Sequence, residues 1–500
     1  MSSSHKDHNL GLLREQSLLE SQSLDASPER RTTVEDQSPL FDNLLTKIGF
    51  GKYQYIALIF ISLTNLNEGA ENIVLSFLVA ILDREWGVTV EENGLLGSLI
   101  WLGFLIGSLL SGPIADRFGR KRPLNFVTLL LYVFAVLCSF ANNFRYLLVI
   151  RSIYGFLGGF QTPLCLTYLA EIIPKEVRGK ALILAGASFT VGQLFACFVG
   201  FFTLESTSKG DWKSLFLWVA QPTLISWIGI NFFLDESPRY EMIVKKNIQG
   251  GIDILNKIAE TNNQNLEITE QDKIELREWA NKSDVLNQET AAGNFLTLFN
   301  KDNREITLYL WPMWFVLCLV SYGVIYILPL TISALEQSQG ESGDTSGLWG
   351  VVFPILGEVP AITIAYFIIE RNLFGRRKTM IIGFIISTIA CFLAYCFFGF
   401  IFWVTIARGV FEAVFLVIFP YTLELYPTLV RVTGLGMSSS FGRIGGVAMP
   451  WVSLFLFQIS PKLPYLGFAV LAGVGIWCSF KLKYDTTNKE LDFEMKRIHS

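Results

Sequence analysis

Long apolar runs separated by short charged segments dominate this sequence. A helix that crosses hydrocarbon needs about 20 mostly apolar residues. Twelve stretches qualify: 55–81, 93–115, 123–143, 146–170, 181–203, 214–234, 306–334, 346–369, 379–398, 400–423, 432–457 and 464–480. The pattern predicts an all-α membrane protein with twelve transmembrane helices.

Composition strengthens this reading. Of 500 residues, 51% are apolar and only 17% charged, against about 25% charged in a soluble protein. Of the 40 basic and 44 acidic residues, all but seven lie outside the twelve spans, as expected if charge in hydrocarbon is costly. Lys and Arg set the orientation. One side collects Arg117, Arg120, Lys121, Arg122, Lys175, Arg178, Lys180, Arg371, Arg376, Arg377, Lys378 and Arg431, while the other has Arg84, Arg145, Lys209, Lys213 and Lys462. Both termini are therefore expected in the cytoplasm.

The expected organisation has five parts. Residues 1–45 form a disordered tail, 46–234 a first six-helix half, 235–305 a cytoplasmic central loop, 306–484 a second half and 485–500 a second tail. Helix-like stretches in the loop, Ile248–Glu260 and Asp272–Lys282, are expected to lie beneath the two halves. Leu18-Leu19 in the first tail is read as a chance pair, and the sequon at Asn281 as cytoplasmic and unglycosylated. No signal-peptide core precedes the first span.

The net charge of −4 gives no reason to expect a nucleic-acid partner. The seven cysteines sit in apolar runs without metal-ligand spacing, and all three histidines (His5, His8 and His499) lie in the tails. No nucleotide loop, paired nucleophile and base, or metal cluster is present in the sequence. Enzymatic activity and a cofactor are not expected.

Two signatures occur twice. Asp116-Arg-Phe-Gly-Arg120-Lys-Arg122 is echoed by Glu370-Arg-Asn-Leu-Phe-Gly-Arg376-Arg-Lys378. Glu171-x-x-Pro174-x-x-x-Arg178 is echoed by Glu424-x-x-Pro427-x-x-x-Arg431. Both recur after about 250 residues, so the chain is a tandem of two six-span halves. Such repeats place a solute site near the midplane between them.

Gly112-Pro-Ile-Ala-Asp116-Arg-Phe-Gly119-Arg120-Lys and Arg151-x-x-x-Gly155-x-x-x-Gly159 resemble signatures of the major facilitator superfamily. Further stretches resemble the synaptic-vesicle-glycoprotein-related branch, near the organic cation and anion transporters. These are Ile48–Gln54, Glu68-x-x-Glu71, Tyr168–Glu171, Glu236-Ser-Pro-Arg239, Gly357-Glu-Val-Pro360, Gly434-Leu-Gly436 and Gly442–Gly446. The chain departs from sugar porters in two places. Ser321-Tyr322-Gly323 stands where they carry a Gln-Gln pair, and Tyr484-Asp-Thr-Thr487 follows the last span.

The resemblance implies a gate of ion pairs on the cytoplasmic side, built from Asp116, Arg120, Glu171, Arg178, Arg376, Glu424 and Arg431. It would latch the halves in one state and open in the other. The four-residue glycine spacings (Gly103/Gly107, Gly155/Gly159 and Gly442/Gly446) suit close helix packing.

The seven charges inside the spans are Glu68, Glu71, Arg151, Glu358, Arg408, Glu412 and Arg443. Each costs about 2.5–3.5 kcal/mol at a helix centre on insertion scales, so each is expected to face a wet cavity or pair with another. Arg151 and Arg408 occupy matching positions and suit fixed ion pairs. Glu68, Glu71, Glu358 and Arg443 are expected to form the central substrate- and proton-binding site, and Glu412 is counted with them. One of the α-helically adjacent pair Glu68 and Glu71 is expected to carry a proton in one state and release it in the other. In the related organic ion transporters the residue at the place of Arg443 is acidic in cation transporters and arginine in anion transporters, which implies a carboxylate-bearing or zwitterionic solute, while the four glutamates point instead to a cation, and the sequence leaves both open. Tyr154, Phe160, Gln161, Tyr322, Tyr326, Trp349 and Phe415 are candidate cavity liners.

The expected function is secondary active transport of a small organic ion by alternating access, coupled to a proton. Alternatives are a facilitative sugar or polyol uniporter and a non-transporting receptor on the same scaffold. The expected partners are the solute, the proton and the bilayer. The expected form is a monomer in the plasma membrane or a vesicle or vacuole membrane.

Overall fold

The computed structural model describes residues 39–291, 298–300, 303–339, 346–370, 375–397, 399–426 and 431–482. Within these residues the twelve predicted spans are all helical. The first half contains α2 (Lys52–Trp86), α3 (Val90–Phe118), α4 (Lys121–Ser139), α5 (Phe144–Ile172), α6 (Lys175–Thr203), and the pair α7 (Trp212–Val219) and α8 (Gln221–Phe233), which together make the sixth span. The second half contains α12 (Arg304–Gln339), the pair α13 (Ser346–Leu356) and α14 (Glu358–Glu370), α15 (Gly375–Cys396), α16 (Phe400–Leu425), α17 (Arg431–Ile459) and α18 (Leu463–Lys481). A two-stranded antiparallel ribbon, β1 (Leu204–Ser206) and β2 (Lys209–Gly210), joins α6 to α7.

Local chemistry sets the ends of these helices. A capping box starts α3: the Thr89 hydroxyl accepts the Glu92 amide and the Glu92 carboxylate accepts the Thr89 amide. Gly119 ends it at φ +96°, where a Cβ would also strike the Glu236 carboxylate. The eighth span breaks at Gly357. Pro360, three residues on, has no N–H to extend the ladder, so Glu358 stands at the first residue of α14.

Glycines let α3 and α5 meet backbone to backbone. A Cβ at Gly107 would overlap the Phe156 carbonyl, and one at Gly159 the Phe104 carbonyl.

Even numbers of spans return the chain to one face, here called the terminus face. Three short helices of the central loop lie there: α9 (Pro238–Ile243), α10 (Ile248–Thr261) and α11 (Glu270–Ala291). The two expected stretches are thus helical, but their contacts are with the first half. Asn262 accepts the Tyr53 amide at 2.9 Å and donates to the Gln54 side chain at 2.8 Å.

The boundary expected for the first tail shifts. A helix, α1 (Pro39–Ile48), begins inside it and buries Phe41, Leu44, Leu45 and Ile48. Phe41 stacks on Trp279 of α11 with ring centroids 5.0 Å apart. The guanidinium of Arg239 lies over both rings, and burial there pulls its pKa down. Leu18-Leu19, Arg371 and the 485–500 tail lie outside the described residues.

The apolar core has two bodies. One occupies the terminus side of the first half together with α1 and the loop helices. The other joins the remote side of the first half to the whole second half.

Candidate site between the two halves

The halves touch away from the terminus face. Tyr326 of α12 donates to the Asn93 carbonyl at 3.1 Å, and Ser98 of α3 donates to the Val447 carbonyl of α17 at 2.7 Å. The hydroxyls of Thr207 and Ser333 are 2.6 Å apart. Trp101 and Tyr322 bring their rings to 4.4 Å across the same seam. This state is closed on the remote side.

On the terminus face the predicted gate residues pair within their own halves. Arg120 bridges Asp116 at 3.2 Å and Glu171 at 3.1 Å. Arg376 pairs with Glu424. Arg178 reaches Asp42 of α1 at 3.4 Å, a partner inside the stretch expected to be a tail. The Arg431 side chain lies outside the described residues. Glu236, of the Glu236-Ser-Pro-Arg239 stretch, accepts the backbone amides of Arg120 and Lys121 at 2.8 and 3.0 Å. It thereby fixes the turn that follows Gly119.

The seven intramembrane charges sort into three groups. In the first, Arg151 of α5 lies 2.5 Å from Glu71 of α2, and both are buried. The guanidinium also sits over the rings of Tyr154 and Phe216 at 4.9 and 5.2 Å. Asn67 donates to the Tyr154 hydroxyl at 2.6 Å.

In the second group, Arg408 of α16 lies 2.6 Å from Glu358 and 3.6 Å from Glu412. The other oxygen of Glu358 accepts from Thr190 of α6 at 2.6 Å and from Gln193 at 3.4 Å. This cluster crosses from one half to the other.

The third group has no ion pair within 4 Å among the described residues. Glu68 accepts the Thr162 hydroxyl at 2.7 Å. Arg443 of α17 lies over the Phe104 ring at 5.0 Å. Phe104 lines the same cavity as Glu68, so the two charges approach one another from opposite halves. Both side chains are half-buried.

Glu68, Glu71, Arg151, Tyr154, Gln161 and Thr162 line a narrow cavity of about 40 Å³, room for a few waters. Glu358, Glu412 and Arg443 are not on its wall. The single four-residue site expected from the sequence is therefore divided. Glu68 lines the cavity and Arg443 lies over Phe104, a residue of its wall, Glu71 is held by Arg151, and Glu358 belongs to the Arg408 cluster. Of the other expected liners, Tyr322 packs against Trp101, Phe160 and Tyr326 are buried, and Trp349 is half exposed.

Sequence reading also missed Thr162, Thr190 and Gln193. They are uncharged, and nothing in a helix sequence marks a hydroxyl or amide that meets a carboxylate on another helix.

Comparisons with known proteins agree with this architecture. Residues 54–496 match the model of the sugar (and other) transporter family. The synaptic vesicle 2-related protein of Rattus norvegicus is 26% identical over 467 residues, covering 90% of this chain and 81% of that protein. The niacin transporter NiaP of Acinetobacter baylyi is 29% identical over 416 residues, covering 82% and 88%. An organic cation/carnitine transporter of Arabidopsis thaliana is a further relative. The inward-open structure of the xylose transporter XylE from E. coli superposes with a TM-score of 0.68 at 19% identity, covering 89% of this chain and all of that one. The relatives and the fold are those of transporters, not enzymes, and the chain belongs to the sugar (and other) transporter family, with the twelve-helix major facilitator fold.

Proposed function

We propose that the protein moves a small organic ion by alternating access, coupled to a proton. The observation that carries this reading is that Glu68 and Phe104 line one cavity of the first half while Arg443 of the second half lies over the Phe104 ring. Glu68 and Arg443 have opposite charge, come from opposite halves and make no ion pair with each other. A solute with a carboxylate for Arg443 and a cationic or proton-donating group for Glu68 would bridge them. It would pull the halves together, which is what a transported solute must do to change the balance of states. Phe104, Trp101 and Tyr322 offer ring faces to a flat solute. That a niacin transporter is among the relatives supports an aromatic carboxylate.

The proton is assigned to α2. Glu71 is paired with Arg151 in this state, and a proton on it would free the guanidinium. Glu68, one turn away on the same face, meets the cavity and gives the proton a route. In this reading the terminus face is open because its gate pairs are satisfied within each half. Arg120–Glu171 is mostly buried, but the pairs with Asp116 and between Arg376 and Glu424 are partly exposed and worth about 1 kcal/mol or less each, so they bias the two states without fixing either.

The experiment is uptake into proteoliposomes from a panel of aromatic carboxylates, zwitterions and organic cations, with and without an inward proton gradient. Gradient-driven accumulation of a carboxylate, lost in both Glu68→Gln and Glu71→Gln, is expected. Full gradient-driven uptake in both variants would refute the assignment of the proton to α2.

A further inference from the structure

The Arg408 cluster is unbalanced. Two carboxylates, Glu358 and Glu412, face a single guanidinium in the middle of the bundle. Glu358 is fully buried and Arg408 nearly so. With every group ionised the cluster carries a net negative charge in a region where unpaired charge is costly. One proton removes it.

The donors decide where that proton sits. Thr190 and Gln193 from α6 both donate to Glu358, and Arg408 holds its other oxygen. Three donors around one carboxylate suit the ionised form. Among the described residues Glu412 has the 3.6 Å contact to Arg408 as its one polar partner. The neighbouring elements add few competitors. From α12, Tyr322 is the titratable group that faces Glu412, and the Ser321 carbonyl accepts from Arg408 at 3.4 Å. From α6 come only the uncharged Thr190 and Gln193. The Arg443 charge of α17 acts on Glu68 and Tyr322. The Glu412 side chain keeps 19% of its surface accessible, whereas Glu358 keeps none.

We infer that Glu412 is a proton-binding site separate from the α2 glutamates, and that its proton stabilises the state closed on the remote side. With Glu412 neutral, Arg408 is left to Glu358, and the Thr190–Glu358 bond between the halves is kept. When Glu412 releases its proton, a second carboxylate one turn along α16 competes for the guanidinium. Arg408 is then drawn away from the Gln193 side-chain oxygen of α6, to which it donates at 3.4 Å across the halves, and its share of the hold on α6 weakens. Acid therefore favours this state and alkali the opposite one. The inference goes beyond the proposed solute and α2 proton sites, and needs only that the halves rock.

The test reads conformation without solute or gradient. Spin labels are placed on the terminus face at Arg122→Cys and Lys378→Cys, which are exposed. The exposed native Cys396 is replaced by Ser, since the other six cysteines are buried. The distance distribution is measured in nanodiscs from mildly acidic to mildly alkaline buffer.

The long-distance population is expected to fall several-fold as the pH rises. Glu412→Gln, an isosteric mimic of the protonated form, should hold the long-distance population at every pH. Thr190→Ala should lower that population throughout while leaving its pH dependence in place. Size-exclusion profiles and melting temperatures check that each variant is folded. Full pH dependence in Glu412→Gln, or a shift of that variant toward the short distance, would overturn the inference. Because no solute is present, neither result depends on the transport assignment.

Discussion

The protein buries an arginine at matching places in its two halves, and the two have been put to different uses. Arg151 pairs with Glu71 inside the first half and is further covered by Tyr154 and Phe216. Arg408 shares two carboxylates, and one of these is gripped by α6 of the other half. The first pair can hold its helices together whichever way the halves lean. The second can be complete only while the halves meet. The repeated sequence thus conserves the charge and not its role, because the role depends on which helix brings the partner.

This contrast can be broken experimentally, starting with the largest effect. Arg151→Ala leaves Glu71 as an uncompensated charge in the bundle. It should cost about 3–5 kcal/mol of stability, seen as a large fall in melting temperature in detergent or as failure to fold. The double variant Arg151→Leu with Glu71→Leu should recover most of that loss, since apolar replacement of a whole buried pair is often neutral. A double variant no more stable than Arg151→Ala would contradict the pairing.

Thr190→Ala should have a smaller effect and of another kind. A hydrogen bond to a charged group contributes about 1.5–3 kcal/mol. Because this one spans the halves, the loss should appear as a change in state populations of about tenfold or more, not as unfolding. Equal loss of melting temperature in Thr190→Ala and Arg151→Ala would erase the distinction between the two clusters.

Asp42→Ala sits at the small end. Its partner Arg178 is partly exposed, so about 1 kcal/mol or less is expected. The melting temperature should shift slightly and the distance distribution should not move.

The architecture was legible because hydrocarbon imposes a strict rule. Each crossing must be long, apolar and helical, so the twelve spans and the seven charges within them could be read directly. The repeats at Asp116 and Glu171 exposed the two halves. The existence of buried ion pairs followed from the cost of charge. Which charge meets which did not, because that depends on the rotation and neighbours of each helix. Glu68 and Glu71 lie one turn apart on α2, yet only Glu71 reaches Arg151. The α1 helix was missed although its signal was present. Phe41, Leu44, Leu45 and Ile48 fall on one helical face, but the polar sequence before them obscured it.

The central claim is that Glu68 and Arg443 hold a solute between the halves. Arg443 has a ring contact and, among the described residues, no ion pair to lose, so Arg443→Ala should leave the melting temperature within a few degrees of the parent. The most direct measurement is gradient-driven uptake of an aromatic carboxylate by Arg443→Ala and the parent protein in matched proteoliposomes. The account predicts near-complete loss of carboxylate uptake in a folded Arg443→Ala protein. Undiminished carboxylate uptake in that variant would contradict it.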